Sequence, residues 1–411
     1  MAREKIIIGL DVGTCNVTVA VAQIKEGNPA TPQILGVGRV VSGGLRKGVV
    51  VDIEETVKNI KEAAAIASRI SGVPVDAAYL SIGGSHITCR ASKGVVAVSR
   101  ADGEISREDK ERVINASSAI SLSPNREILH VLPRRFCVDN QDSIKEPVGM
   151  QGVRLEVDAL IVEGATPYIK NLSKCVKEAD VYAQGMLLAP LAASRAVLTK
   201  RQKELGVLLL DLGGGTSGMA VYEEGDIISC QIIPLGSMHV TNDIAIGLRT
   251  SIDVAEKVKL EYGSVLPSQI NKKEMVNLAK AGGEEGQISR HHIAEIIEAR
   301  VSETLDLVNK ELKKIDRAGL LPAGVVLVGG GAKLLGLVEL AKEKLKLPVH
   351  VGRPQNLEGI VDQVDDPSFA TVCGLILSVL SDENIKETGD SMMSAKAVLN
   401  RAKRWFKSFL P

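Results

Sequence analysis

The sequence predicts an α/β protein of two duplicated halves, with an α/β subdomain inserted in the first half and an amphipathic helix at the C-terminus. Three observations predict it. One phrase occurs in both halves: residues 6–14 read Ile-Ile-Ile-Gly-Leu-Asp-Val-Gly-Thr, and residues 207–216 read Val-Leu-Leu-Leu-Asp-Leu-Gly-Gly-Gly-Thr. Strand-like and helix-like segments alternate along the chain, the pattern of sheets flanked by helices. The last residues sort on a helical wheel into one apolar and one basic arc.

The elements follow in order. After the strand ending at Asp11 comes a small-residue turn, a strand over 17–24, a Lys25-Glu-Gly-Asn28 turn and a strand over 34–41. Short apolar runs separated by Gly and Asn are the signal for hairpins. A helix is expected over 54–70. Residues 1–83 form this first core, completed by 163–198 and 356–380. Residues 84–162 read as the insert, where Ser106 is placed as the N-cap of a helix. The chain returns to the first half with a helix over 168–179. The second core, 199–250 with 311–355, repeats the pattern: strand 219–222, turn Glu223-Glu-Gly-Asp226, strand 227–233. Residues 251–310 form a helix-rich subdomain, and an apolar helix over 370–380 closes the first half. Residues 381–394 are polar and aperiodic, a flexible linker spanning roughly 20 Å. The amphipathic helix occupies 395–411.

The repeated phrase carries the chemistry. Glycine turns let backbone N–H groups close on an anion without a Cβ in the way. An Asp at each strand end can hold a cation. Two such turns facing each other would grip a polyphosphate and its Mg²⁺ from both sides. Gly213, Gly215 and Gly218 match G-x-G-x-x-G, but a dinucleotide fold needs a helix straight after those glycines. A second strand follows instead, in both copies. No G-x-x-x-x-G-K-[ST] is present. A third cluster, Gly329, Gly330 and Gly331, ends the apolar strand 325–328 ahead of helical periodicity over 334–346. It is either an ordinary strand–helix turn or a platform where a flat base and ribose approach the backbone.

Composition narrows the class. Of 411 residues, 45% are hydrophobic and 24% charged, a globular profile with room for more than one core. The formal net charge is zero, so no general affinity for nucleic acid is indicated. The six cysteines include no C-x-x-C pair and read as reduced thiols. Cys15, inside the first turn, reads as a small filler whose oxidation could block the site. The apolar stretch before Asp11 is too short for a signal peptide. The stretch 370–380 is too short to span a bilayer, so the folded part is expected in the cytoplasm.

The ordered set of two Asp–Gly–Thr turns and a third glycine cluster resembles the actin, Hsp70 and sugar-kinase ATPase superfamily. Four segments narrow the resemblance: Ser42-Gly-Gly-Leu-Arg-Lys-Gly48, Leu80-Ser-Ile-Gly-Gly-Ser-His86, His130-Val-Leu-Pro133 and Pro147-Val-Gly-Met-Gln-Gly-Val-Arg154. They are similar to FtsA, the bacterial actin-like cell-division family. The resemblance implies an actin/Hsp70-like fold whose insert replaces the usual actin lobe on the opposite side. It implies ATP and Mg²⁺ as cofactors. Asp11 and Asp211 are assigned to Mg²⁺ through waters, or cap their own turns. Gly13, Thr14 and Asn16 form the first phosphate clamp; Gly213, Gly214, Gly215 and Thr216 form the second. Gly236 is a further point of close approach. Glu256 and Lys259, three apart on a helix-type segment, share a face. In the superfamily such a pair contacts ribose and adenine; the alternative is a surface ion pair. Better ATPases of the superfamily carry Glu or Gln just before the turn corresponding to Ala189-Pro190. Here Leu188 precedes it, so ATP is expected to act as an assembly ligand with at most weak turnover.

The resemblance also implies partners. They are FtsZ through its acidic C-terminal tail, further copies of this chain in actin-like filaments, and other division proteins. The segment 293–300 resembles a family motif, with Ala299 where Pro is usual. Arg300 is expected in or near the FtsZ contact, or on a solvated helix face. In the terminal segment, Val398, Leu399, Trp405, Phe406, Phe409 and Leu410 fill the apolar arc with Ala402. Arg401, Lys403, Arg404 and Lys407 fill the other arc with Lys396. No acid interrupts them, so the segment reads as an interfacial helix for anionic lipids or, alternatively, a helix docked on the protein's own core. The expected location is peripheral, on the cytoplasmic face of the membrane at the division site. The alternatives are a small-molecule kinase and a pilus-assembly actin homologue; a chaperone would need a C-terminal substrate domain, for which too few residues remain.

Overall fold

The computed structural model describes residues 5–24, 31–283 and 286–381. The expected turn at 25–28, the linker 381–394 beyond Ser381 and the terminal segment 395–411 lie outside them.

Each half is a sheet with one order of strands. In the first, the strand Lys5–Val12 is central. It pairs antiparallel with Asn16–Ile24, which pairs antiparallel with Gln33–Val41. On its other side lie Ala77–Ile82 and then Tyr182–Leu188, both parallel. In the second half, Val207–Leu212 takes the central place. Ser217–Glu223 and Asp226–Ile233 extend it antiparallel, and Val325–Val328 and Val349–Val351 extend it parallel. The duplicated phrase is therefore the visible part of a duplicated topology. The central strands are buried on both faces, with Leu10, Leu208, Leu209 and Leu210 fully enclosed. Parallel strands covered by helices require such continuous apolar runs.

The covering helices carry the expected signals. The helix Ile53–Ser71 starts at Asp52, whose carboxylate accepts from Glu55 N–H at 3.0 Å, and stops at Gly72 in the left-handed region. The helix Thr166–Glu178 packs against it. The apolar helix Ala370–Ser381 lies along Ala189–Val197. Among the described residues, no helix is long and apolar enough to cross a membrane.

The insert is a four-stranded antiparallel sheet in the order Thr88–Ala97, Arg154–Ala165, Arg126–Val138, Gln141–Ile144. Its helix Arg107–Ser118 begins with a reciprocal cap between Ser106 and Asp109. Ile105, Val113, Phe136, Leu155 and Val157 form its own small core. The insert also meets the second half. Lys145 Nζ bonds the Asp226 carboxylate at 2.5 Å and also the Glu224 carbonyl.

The 251–310 region holds two main helices, Ile252–Tyr262 and Arg290–Lys314. The second runs past the expected end at 310. Between them a two-stranded hairpin pairs Met275–Asn277 with Gln287–Ser289.

Candidate functional site

The two halves meet at their central strand ends and enclose a cleft of about 620 Å³. That is the size of pocket that buries a nucleotide-sized ligand. Asp11, Gly13, Thr14 and Asn16 line it from one side, and Asp211, Gly213, Gly214, Gly215, Thr216 and Gly236 from the other. Glu256, Lys259, Gly329, Gly330 and Gly331 close it. One fold feature thus collects every cleft candidate. Arg300 is not among the lining residues, although Val301, Thr304 and Leu305 on the same helix are.

The two turns are built alike. Gly13 N–H donates to the Asn16 carbonyl at 3.0 Å, and Gly213 N–H donates to the Thr216 carbonyl at 3.0 Å. The second turn's carbonyls are taken up by the following helix. Ser237 N–H takes the Gly213 carbonyl at 2.9 Å and Met238 N–H the Gly214 carbonyl at 2.8 Å, at the start of the helix Ser237–Leu248. Among the described residues, Thr14, Cys15, Gly214 and Gly215 donate their N–H groups to no backbone carbonyl. Donors left in that state suit an anion.

Glycines mark the close approaches in the cleft. A Cβ on Gly214 would strike Cys15 Sγ across the cleft, so the two turns approach closely enough that this thiol must turn aside for any side chain there. Gly329 has φ +82°, and a Cβ there would meet a carboxylate oxygen of Asp211. By contrast, Gly330 has open space in front of its α-carbon.

Two of the four family-like segments brace the first turn. Gly48 N–H donates to Thr14 Oγ1 at 3.0 Å. Ser81 Oγ donates to Asp11 Oδ1 at 2.5 Å, and Ser85 N–H donates to the Lys47 carbonyl at 3.2 Å.

Asp11 and Asp211 stand close enough for the charge of one to act on the other. Burial pushes the Asp11 carboxyl up, against the Ser81 hydroxyl and the Arg39 charge. Burial, and then the negative charge of Asp11, push Asp211 up to about 7; the Thr371 hydroxyl opposes them. Two carboxylates that cannot comfortably ionise together are a fit for a hard divalent cation, which would hold both charged. Among the described residues there is no group of three or more potential metal ligands.

Glu256 and Lys259 form a closed triangle with Thr241. Lys259 Nζ donates to Glu256 Oε2 at 2.6 Å and to Thr241 Oγ1 at 2.8 Å, and Thr241 Oγ1 donates to Glu256 Oε2 at 2.5 Å. The pair is therefore held toward the cleft, and Lys259 keeps only 10% of its side chain exposed. At the other end, Ala189 and Pro190 line the cleft and supply no polar side chain.

Sequence reasoning missed several residues. Thr241, Ser81 and Thr371 are ordinary hydroxyls until folding brings them to Glu256, Asp11 and Asp211. Arg39 lines the cleft, donates to Ser368 Oγ at 2.9 Å and lies 5.1 Å over the Phe369 ring. A charge amid the apolar strand Gln33–Val41 was a readable signal for it. Arg300 grips Asp243 with two bonds, at 2.5 and 3.0 Å, and Glu303 at 2.5 Å. It is thus a satisfied guanidinium between two carboxylates.

Comparison with known proteins decides the family. Residues 208–374 match the family described as cell division protein FtsA, and residues 84–163 match the SHS2 domain inserted in FtsA. The chain is 37% identical to cell division protein FtsA of Pseudomonas aeruginosa, over 98% of this chain and 97% of that one. It belongs to the FtsA family. The Bacillus subtilis FtsA is 38% identical over 92% of this chain and 84% of that one, and the Escherichia coli K12 protein 34% over 91% and 90%. Solved structures share the fold at lower identity. The PilM–PilN type IV pilus biogenesis complex gives a TM-score of 0.67 at 17% identity, covering 91% of this chain and 98% of that one. MreB5 of Spiroplasma citri, bound to ADP, gives 0.54 at 16%, covering 93% and 99%. The chain is thus an actin-like division protein of the FtsA family, with that family's inserted domain.

Proposed function

We propose that the protein is an ATP-loaded membrane adaptor of the division ring. It binds ATP·Mg²⁺ in the cleft, polymerises, and tethers FtsZ filaments to the cytoplasmic face of the membrane. The observation that carries the nucleotide reading is the facing carboxylates of Asp11 and Asp211 between two turns with N–H groups to spare. In this reading the turns Gly13–Asn16 and Gly213–Thr216 clamp the phosphates. The Glu256–Lys259–Thr241 triangle holds the ribose and base edge, against the glycines 329–331. Bound Mg²⁺ supplies positive charge to the phosphates and to both aspartates. The chain's own groups orient the polyanion and exclude water. With Leu188-Ala189-Pro190 at the phosphate end, nothing there is suited to activate a water molecule.

The membrane reading rests on the residues 395–411. On a helical wheel, five cations and no acid would fall opposite an arc carrying Trp405, Phe406, Phe409 and Leu410. Near an anionic surface each cation contributes about 1 kcal/mol. One such helix binds modestly, so polymerisation strengthens attachment through avidity. The FtsZ tail is assigned to the helical subdomain 251–310. In this reading Arg300, paired with Asp243 and Glu303, lies in or near that contact.

The nucleotide claim is tested by calorimetric titration of the metal-stripped protein with ATP, with and without Mg²⁺. One saturable site that weakens without Mg²⁺ and is lost in Asp211→Ala is expected. Wild-type affinity in Asp211→Ala would remove that carboxylate from the site.

A further inference from the structure

The segment His130-Val-Leu-Pro133 takes no part in lining the cleft, yet it reaches the cleft's wall. His130 lies on the insert strand Arg126–Val138, fully buried, opposite Val162. Its Nε2 accepts the backbone N–H of Leu188 at 3.1 Å. The ring proton is therefore on Nδ1. Burial pushes the imidazole down to about 4, so the ring is neutral at physiological pH. Leu188 ends the edge strand of the first-half sheet, where a backbone N–H needs a partner from outside the sheet. The next two residues, Ala189 and Pro190, line the cleft. Pro190 presses on Gly218: a Cβ there would come within 3.2 Å of the proline ring. Gly218 is the register partner of Asp211. A continuous path of contacts thus runs from the interior of the insert to the floor of the cleft.

We infer that His130 is a positioning residue for nucleotide binding, holding the Leu188–Pro190 wall against the second phosphate turn and so tying the insert's placement to ATP affinity. The inference rests on the nucleotide reading above. The insert is fastened to the second half as well, through Lys145 and Asp226. It therefore touches both walls of the cleft from outside. Coupling of this kind is reciprocal: whatever shifts the insert changes ATP affinity, and ATP biases the insert's placement by the same factor.

The test compares His130→Leu, which removes the acceptor, with His130→Gln, which restores an acceptor near the position of Nε2. The full chain is loaded with a fluorescent ATP analogue and chased with ATP, and exchange of the Leu188 amide is followed in parallel. Val157→Ala, in the insert's own core and away from Leu188, controls for general softening. His130→Leu should release the analogue about tenfold faster and speed exchange at Leu188, since a buried N–H is left without its acceptor. His130→Gln should recover most of the wild-type rate, and Val157→Ala should leave release unchanged. If His130→Leu does not fold, His130→Ala takes its place. Faster exchange at Leu188 with unchanged release would overturn the inference, as would equal acceleration by Val157→Ala. A wild-type chain that takes up no ATP analogue overturns the nucleotide reading itself. That outcome is distinct, because nothing is then released while Leu188 exchange still reports the bond.

Discussion

Asp211→Asn should stabilise the empty protein while abolishing its use for Mg²⁺·ATP. The Asp211 carboxyl is raised from 3.8 to about 7, by burial first and by Asp11 second. A shift of that size corresponds to about 4 kcal/mol against the ionised form. Asp211 keeps a fringe open to the cleft, so water in the cleft reduces the figure to about 2–4 kcal/mol. The sign follows from linkage. A folded-state pKa above the unfolded one means the folded state holds the proton more tightly. The resulting stability is fully present below pH 3.8 and is lost as pH rises to about 7. Asparagine cannot ionise, so the variant escapes that loss, and its amide oxygen can still accept from Thr371. Urea melts of metal- and nucleotide-free protein at pH 5, 6, 7 and 8 measure the effect. The variant's advantage should widen from pH 5 to 7 and then level. With saturating Mg²⁺·ATP the order should reverse, because only the wild type gains binding stabilisation. A gap that stays flat with pH would refute the reasoning.

Three other outcomes follow. Gly214→Ala should weaken Mg²⁺·ATP by tenfold or more, because the new Cβ strikes Cys15 Sγ, and Cys15→Ala in the same chain should restore part of the loss; no rescue would mean the turns are not that close in solution. Steady-state hydrolysis should be well below the ~10 s⁻¹ typical of enzymes, and a rate at that level would point to a water-orienting group not identified at Leu188–Pro190. Arg300→Glu replaces the one cation between Asp243 and Glu303 with a third carboxylate, so binding of an acidic FtsZ C-terminal peptide should weaken in fluorescence anisotropy while Mg²⁺·ATP binding persists; unchanged peptide affinity would clear Arg300 of that role.

The fold was legible where local chemistry repeats. The Asp–Gly–Thr phrase, the strand–turn–strand spacing after it and the cap at Ser106 are short-range signals, and the strands and helix they predict are present. Chain separation hid the rest. Nothing near Thr241 in sequence points to Glu256, and nothing near Ser81 points to Asp11, because folding alone makes them neighbours. Periodicity over 334–346 suggested one helix. The structure instead has a 3-10 turn at Gly330–Lys333 and an α-helix only from Leu337, since Gly336 at φ +81° breaks the run. The hairpin within 251–310 was missed because three-residue strands are too short to show alternation. Arg300 illustrates the limit of reading charge alone: its partners Asp243 and Glu303 decide what it can do, and Asp243 comes from a different helix.

The central claim is that this chain carries FtsZ to a lipid surface by means of its last residues. Flotation of anionic vesicles through a density gradient, with FtsZ polymers, Mg²⁺·ATP and either the full chain or the chain ending at residue 395, measures it directly. FtsZ should float with the vesicles only when the full chain is present, and raised salt should weaken the attachment because exposed charges are screened within ~8 Å at physiological ionic strength. If FtsZ floats equally well with the shortened chain, the terminal helix is not the anchor, and the adaptor account is contradicted.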